Sequence, residues 1–261
     1  MTVGTYLSTL ASDLVLSSLE KDSIARSIST LSTRLAVHFG SDISNSLQFG
    51  SSTRGTILPR KADGKSDIDY MVVFDTSVDQ KKPQTYLDRL KRFAETKYSR
   101  SDIAQSSPTI ILSLNHINFE LVPAIYNYGY QIPSPKSHWS DWMSTDPTTA
   151  DQKIQDKNKG ENYQIKPLVR LVKYWNARNG HAFYSFDLEQ YIVNDLYWSC
   201  TTLRDYFYHF WSRFSCSYNT AQYIKDKVER AKEHARKAQD YEDRGMPTWA
   251  ELEIKKVVPP L

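Results

Sequence analysis

Two aspartates separated by one residue, Asp67 and Asp69, stand at the head of the apolar run YMVVF. This short run is rich in β-branched residues, which predicts a strand buried on both faces. Side chains two apart on a strand share a face, so the two carboxylates project together while Ile68 turns to the core. Two like charges this close repel each other and resist joint ionisation. Bound divalent cations are the usual way to offset that cost.

The hydrophobic pattern around this strand predicts an α+β chain. Apolar residues recur at helical spacing over the first 40 residues, a further helix is predicted over 81–100, and the stretch 109–122 predicts a hairpin turning at Asn115 and His116. From residue 141 the strand signal stops. A polar connection over 140–162 is followed by predicted helices at 163–179, 186–200, 203–214 and 220–244.

We therefore predict two lobes with an active site in the cleft between them. Residues 1–140 form a mixed-sheet catalytic lobe that includes the N-terminal helix, and residues 141–261 form a helical lobe. The aromatic residues of the helix at 203–214 are interpreted mainly as core, with base stacking as the alternative.

A third acid, Glu120, lies on the second strand of the predicted hairpin. Ile117, Phe119 and Leu121 share the apolar face of this strand, and Glu120 points to the other face. If this strand lies beside the strand of Asp67 and Asp69, the three carboxylates converge and can hold two Mg²⁺ ions. The alternative is that Asp67 caps a turn and Asp69 is an edge charge.

Two further groups of residues suit a phosphate-bearing ligand. Gly50 and Ser51 precede the aspartates, and glycine lets backbone N–H groups approach a phosphate while serine adds a hydroxyl. Lys166, Arg170 and Lys173 fall on one side of the helix at 163–179, which favours a triphosphate contact over a plain surface stripe. Ser185 stands where the next helix begins, so helix capping explains it without a ligand.

Composition limits the possible partners. The chain of 261 residues has 33 basic and 30 acidic residues and a net charge of +3, too balanced for binding long nucleic acid by bulk electrostatics. Cys200 and Cys216 are expected to be free thiols. The N-terminus lacks the basic region of a signal peptide, and no apolar run approaches the ~20 residues of a membrane span. We expect a soluble, cytoplasmic protein without a membrane partner.

Taken together, the segments FGSSTRGT, KSDIDYMVVF, FELVPA, LVRLVKYWN and YSFDLE resemble the cGAS/DncV-like nucleotidyltransferases of the polymerase-β-like superfamily. The resemblance covers about residues 48–193 in the correct order. It implies the two-lobed polymerase-β-like fold. The third acid is often Asp in this superfamily, whereas here it is Glu120.

The resemblance also implies roles for particular residues. Asp67, Asp69 and Glu120 correspond to the catalytic metal ligands, for two Mg²⁺ ions that Mn²⁺ may replace. Gln48, Gly50, Ser51, Lys173 and Ser185 correspond to nucleotide-binding positions.

Family members couple NTPs, without a template, into cyclic di- or trinucleotides or short linear oligonucleotides. These act as second messengers in bacterial antiphage signalling, where a separate effector protein senses the product. That is the function we expect here. The alternatives are nucleotidyl transfer to an RNA 3′ end, a protein or a small molecule, and a non-catalytic nucleotide-binding scaffold.

Overall fold

The computed structural model describes residues 2–106, 108–134 and 142–261. They form two compact units, each assembled from separate stretches of chain. A helical unit comprises Met1–Leu16, Lys61–Gly64 and Lys153–Leu261, and a sheet unit comprises Ser17–Arg60 and Lys65–Gln152. The first residues of the chain thus belong with the C-terminal helices, and the sheet unit extends to Gln152, whereas the predicted boundary lay between residues 140 and 141.

The N-terminal helical pattern forms two helices that belong to different units, and a capping box sets the start of the second one. Helix α1 (Val3–Asp13) lies in the helical unit, and α2 (Ser18–Phe39) lies in the sheet unit. Ser17 starts α2 with a capping box, in which its side chain accepts from the backbone N–H of Glu20 and the Glu20 side chain accepts from the backbone of Ser17.

The sheet unit carries all the strands within the described residues. They are β1 (Ile43–Phe49), β2 (Asp67–Phe74), β3 (Asp102–Ser106), β4 (Thr109–Ser113), β5 (Asn118–Tyr126), β6 (Tyr130–Pro133) and β7 (Trp142–Thr145). They form one mixed sheet with the order β1-β2-β5-β4-β3, and β6 joins β5 to β7. The pair β2 and β5 is parallel, and the other pairs are antiparallel.

The short helix α3 (Ser51–Arg54) follows β1, and α4 (Pro83–Lys97) follows β2. Pro83 occupies the first turn of α4, where a missing backbone N–H costs nothing. The apolar side of α4 buries Tyr86, Leu87, Leu90, Phe93 and Ala94. The predicted helix at 81–100 and the hairpin of β4 and β5 are therefore confirmed.

The next helix, α5 (Pro147–Gly160), contains the chain boundary between the units, after Gln152. The stretch 140–162 was predicted as a polar connection between the lobes, and the boundary between the units falls within it. The expectation that no strand follows residue 141 is wrong, because the described part of this stretch forms β7 and α5. Its polar composition hides both elements, because neither buries a continuous apolar face.

The rest of the helical unit consists of α6 (Ile165–Arg178), α7 (Ser185–Asn194), α8 (Leu203–Arg213), α9 (Gln222–Asp243) and α10 (Pro247–Val257). Helix α8 supplies the centre of its core, with Tyr206, Phe207, Phe210 and Trp211 each at most 1% exposed. The interpretation of this aromatic helix as core is confirmed. No helix of the described residues is long and apolar enough to cross a membrane.

Candidate active site

The parallel pairing of β2 and β5 brings two of the predicted acids side by side. Asp69 pairs with Glu120, and Asp67 pairs with Asn118. Ile68 and Phe119, which alternate with these acids, are fully buried. The acids therefore share one side of two neighbouring strands, as the strand alternation predicts.

Asp67 and Glu120 are close enough to share a hydrogen bond between their side chains. Burial is the largest cause that raises the pKa of Glu120, to about 7, and the charge of Asp67 and this hydrogen bond raise it further. A hydrogen bond from Thr109 opposes the shift. Glu120 therefore keeps a proton at a pH at which an exposed glutamate has lost it.

Asp69 lies against the backbone of Gly50. Phe49, the last residue of β1, pairs with Asp69, so Gly50 follows directly beside this carboxylate. A Cβ atom placed on Gly50 would lie 1.8 Å from Asp69 Oδ2, and Gly50 has a φ of +81°. Both the contact and the backbone conformation thus require glycine at this position.

The segment from Gly50 to Ile57 is a closed loop around α3. The backbone oxygen of Ser51 accepts hydrogen bonds from Thr56 N at 2.9 Å and from Ile57 N at 3.1 Å. Gly55 ends α3 in the left-handed conformation. Gln48 holds the start of α3 by donating from Nε2 to Ser52 Oγ at 2.7 Å. Gly50, Ser51 and Gln48 are thus brought together with Asp69.

Lys173 and Ser185 belong to the helical unit. Lys173 on α6 is buried, and its Nζ lies 3.3 Å from Oε1 of Glu189 on α7, which is 1% exposed. Ser185 is the first residue of α7, but the capping position is Tyr184 and no side chain caps this helix. The interpretation of Ser185 as a helix cap is therefore wrong.

Lys166 and Arg170, which share the predicted basic side of α6 with Lys173, also have partners within the helical unit. Lys166 donates from Nζ to Gln155 Oε1 at 2.8 Å, and Arg170 donates from Nε to the backbone oxygen of Ala11 at 3.2 Å. Burial lowers the pKa of Arg170 to about 10. These side chains are tied to neighbouring elements, so they do not form a plain solvated stripe.

The donor chemistry of the three acids suits Mg²⁺, which prefers carboxylate oxygens. In the described part of the chain, however, no group of three or more His, Cys, Asp or Glu side chains is arranged to hold a metal ion. The side chains of Asp67 and Glu120 share a hydrogen bond, and a cation bound there would replace its proton. The chemistry of this donor set fits a divalent cation.

Thr109, at the start of β4, is a neighbour of the site that sequence reasoning missed. Its side chain is buried, and its hydroxyl lies within hydrogen-bonding reach of Glu120 and of the backbone oxygen of Ser106, 2.9 Å from the latter. Its single proton can be donated to only one of them at a time. A hydroxyl residue at the head of a predicted strand was the available signal. Its relation to Glu120 follows from the antiparallel register of β4 and β5, in which Ile111 pairs with Glu120.

Comparisons with known proteins place the chain in a family. A domain model described as Second Messenger Oligonucleotide or Dinucleotide Synthetase matches residues 1–158. A cyclic AMP-AMP-AMP synthase from an Acinetobacter strain is 26% identical over 187 residues, which cover 69% of this chain and 53% of that protein. A probable cyclic nucleotide synthase of Bacillus cereus is 28% identical over 116 residues, covering 40% of this chain and 34% of that protein. The chain spans about half or less of the length of these curated relatives.

Solved structures share the fold at low sequence identity. CdnC from E. coli, in a complex with HORMA-deltaN, is 16% identical with a TM-score of 0.71, covering 98% of this chain and 96% of that chain. The apo form of DncV from Vibrio cholerae is 13% identical with a TM-score of 0.63, covering 82% of this chain and 68% of that chain. Since the domain model matches more than half of the sequence, the chain belongs to the Second Messenger Oligonucleotide or Dinucleotide Synthetase family, the cGAS/DncV-like nucleotidyltransferases.

Proposed function

We propose that this protein is a template-independent nucleotidyltransferase that couples NTPs into a cyclic or short linear oligonucleotide second messenger. The observation that carries the proposal is the register of β2 and β5, which sets Asp69 beside Glu120 on parallel strands. Gly50 and Ser51 lie at the same end of the sheet, against Asp69. The acids and a loop suited to bind phosphate thus lie close together, as binding of a triphosphate and its counter-ions requires.

The chain's own residues have distinct tasks in this reaction. The backbone N–H groups and the hydroxyl around Gly50 and Ser51 receive the phosphates of the donor NTP. Asp69 is held in place by its packing on Gly50. Glu120, placed beside Asp69 by the pairing of β2 and β5, helps to remove the proton of the attacking ribose hydroxyl. The hydroxyl oxygen bonds to the α-phosphorus as the bond from that phosphorus to the pyrophosphate oxygen breaks.

Asp67, Asp69 and Glu120 would hold two Mg²⁺ ions, for which Mn²⁺ can substitute. Bound there, such ions would neutralise phosphate charge and favour the deprotonated hydroxyl. On the basis of the family resemblance, we propose that Lys173 and Ser185 contact the triphosphate of the bound NTP. Lys173 would then interact with the triphosphate as well as with Glu189, its ion-pair partner.

Oligonucleotide synthesis is favoured over transfer to another acceptor. The family description and the names of both curated relatives refer to synthesis of nucleotide messengers. A product of this class implies a separate effector protein that senses it and a role in antiphage signalling. The complex of CdnC with HORMA-deltaN supports a further protein partner for this chain. We place the enzyme in the cytoplasm, where NTPs are available.

The decisive experiment tests product formation directly. Purified protein is incubated with four labelled NTPs and Mg²⁺ or Mn²⁺, treated with phosphatase, and the products are resolved beside the Asp69→Asn variant. We expect a phosphatase-resistant product that is absent from the variant, and omitting one NTP at a time identifies its bases. Equal products from the wild type and a folded Asp69→Asn variant would refute the proposal.

A further inference from the structure

Arg54, the last residue of α3, is a buried arginine in a loop that faces the candidate active site. Its side chain is 7% exposed, and its Nη1 lies 3.6 Å from Oδ1 of Asp151, whose side chain is 29% exposed. Arginine is rarely buried without a partner, because removing its charge from water is costly. Asp151 on a different element, α5, is one carboxylate that pairs with Arg54.

The ion pair between Arg54 and Asp151 is longer than a charge-assisted hydrogen bond. A charge-assisted hydrogen bond between such groups is typically about 2.7–2.9 Å long. Asp151 Oδ1 is buried and accepts no hydrogen bond among the described residues, although the guanidinium is 3.6 Å away. An inward shift of α3 by less than ~1 Å would convert the ion pair into a hydrogen-bonded one.

The loop transmits the position of Arg54 to the groups that meet phosphate. Arg54 donates its backbone N–H to the oxygen of Gly50, and Ser51 O accepts from Thr56 and Ile57. The loop therefore moves as one closed unit, in which a displacement of Arg54 displaces Gly50 and Ser51. Gly50 also packs against Asp69, so the first residue of the loop lies beside an acid of the site.

We propose that the Arg54–Asp151 ion pair is a positioning device that holds the Gly50–Ile57 loop in the geometry that binds the NTP phosphates. The inference deepens the proposed function and rests on it for the identity of the ligand. Arg54 and Asp151 act through the loop and are positioning residues. Their removal weakens nucleotide binding, while the acids that perform the chemistry remain in place.

The test compares Asp151→Asn with the wild type and with Asp42→Asn. Asp151→Asn keeps the side-chain shape and removes the charge. Asp42→Asn removes another Asp–Arg ion pair of the sheet unit, that with Arg89. Two readouts are used: the Kd, KM and kcat for NTP with Mn²⁺, and hydrogen exchange of the Thr56 and Ile57 amides without nucleotide.

We expect Asp151→Asn to raise Kd and KM about tenfold, with kcat changed by less than about twofold. The amides of Thr56 and Ile57 should exchange faster in this variant than in Asp42→Asn, because the loop loses its anchor. Arg54→Lys, which keeps the charge but loses the planar guanidinium, should fall between the wild type and Asp151→Asn. If Asp151→Asn does not fold, the same two measurements on Arg54→Lys test the proposal instead.

Unchanged Kd and unchanged amide exchange in a folded Asp151→Asn variant would overturn the inference and leave the proposed function intact. Failure of the wild type to bind NTP would instead overturn the proposed function. In that case amide exchange alone still decides whether the ion pair orders the loop, since that measurement needs no nucleotide.

Discussion

Gly50 and Asp69 pack so closely that a single methyl group cannot be added between them. We expect Gly50→Ala to reduce nucleotide coupling more than about 100-fold, because the new Cβ would lie 1.8 Å from Asp69 Oδ2 and displace that carboxylate. The positive φ of +81° adds a backbone penalty of about 1 kcal/mol. Activity is measured by product formation and folding by thermal denaturation.

Gly64→Ala is the matched control for that substitution. A Cβ on Gly64 meets no atom within 4 Å, so activity and stability should stay at the wild-type level. Equal activity of the Gly50 and Gly64 variants would show that nucleotide coupling does not depend on the position of the Asp69 carboxylate.

The raised pKa of Glu120 predicts how the stability of the metal-free protein depends on pH. The folded pKa of about 7 exceeds the ordinary value of 4.5, so the folded state binds the proton more tightly than the unfolded chain. The contribution of the Glu120 proton to the free energy of unfolding is fully present below about pH 4.5 and is lost as the pH rises through about 7. Because the side chain is partly exposed to solvent, we expect this pH-dependent change in the free energy of unfolding to be about 2 kcal/mol.

Glu120→Gln should abolish this dependence, because glutamine does not titrate. Urea unfolding of both proteins in a chelating buffer from pH 4.5 to 8 measures the difference in the free energy of unfolding. A wild-type stability that rises over this interval, relative to Glu120→Gln, would contradict the assignment of the proton to Glu120.

At the scale of elements, α8 is the central helix of the helical unit. Phe210 is 0% exposed, and its ring centroid lies 4.9 Å from that of Phe214 and 5.9 Å from that of Tyr191. Phe210→Ala should lower the free energy of unfolding of this unit by about 3–5 kcal/mol, because it removes buried apolar area and leaves a cavity. Denaturant unfolding followed by tryptophan fluorescence measures the loss.

Trp198 provides the comparison, since its side chain is 78% exposed in the loop before α8. Trp198→Ala should change stability by less than about 0.5 kcal/mol. A cost similar to that of Phe210→Ala would mean that Trp198 is covered in solution.

For the whole molecule, binding of nucleotide and metal should appear as added stability. A ligand that binds only the folded state at 100 times its Kd stabilises the protein by about 2.7 kcal/mol. We expect the melting temperature to rise when NTP and Mg²⁺ are added together, and the rise to be lost in Asp69→Asn. Thermal denaturation with each component alone is the control; a full shift with NTP alone would argue against the metal site.

Much of the local structure was predictable because it depends on the spacing of side chains along the chain. The apolar run after Asp69 predicted β2, and the alternation around Glu120 predicted β5 with the acid on its polar side. The apolar spacing predicted α8 to within one residue and α4 to within three residues at either end. Helix α10 was not predicted, and the stretch that forms β7 and α5 was predicted only as a polar connection, because its few apolar residues show no period.

The sequence by itself determined that Asp67 and Asp69 share a strand face and that Glu120 opposes an apolar face, since both depend only on the alternation of a strand. Only the tertiary structure decided that β2 and β5 are parallel neighbours, that the Asp67 and Glu120 side chains lie within hydrogen-bonding reach, and that Asp69 rests on Gly50. It also decided that Arg54 is buried beside Asp151 and that α1 belongs with the C-terminal helices. These are contacts between residues distant in sequence, and they depend on which surfaces the whole chain buries together rather than on any local pattern.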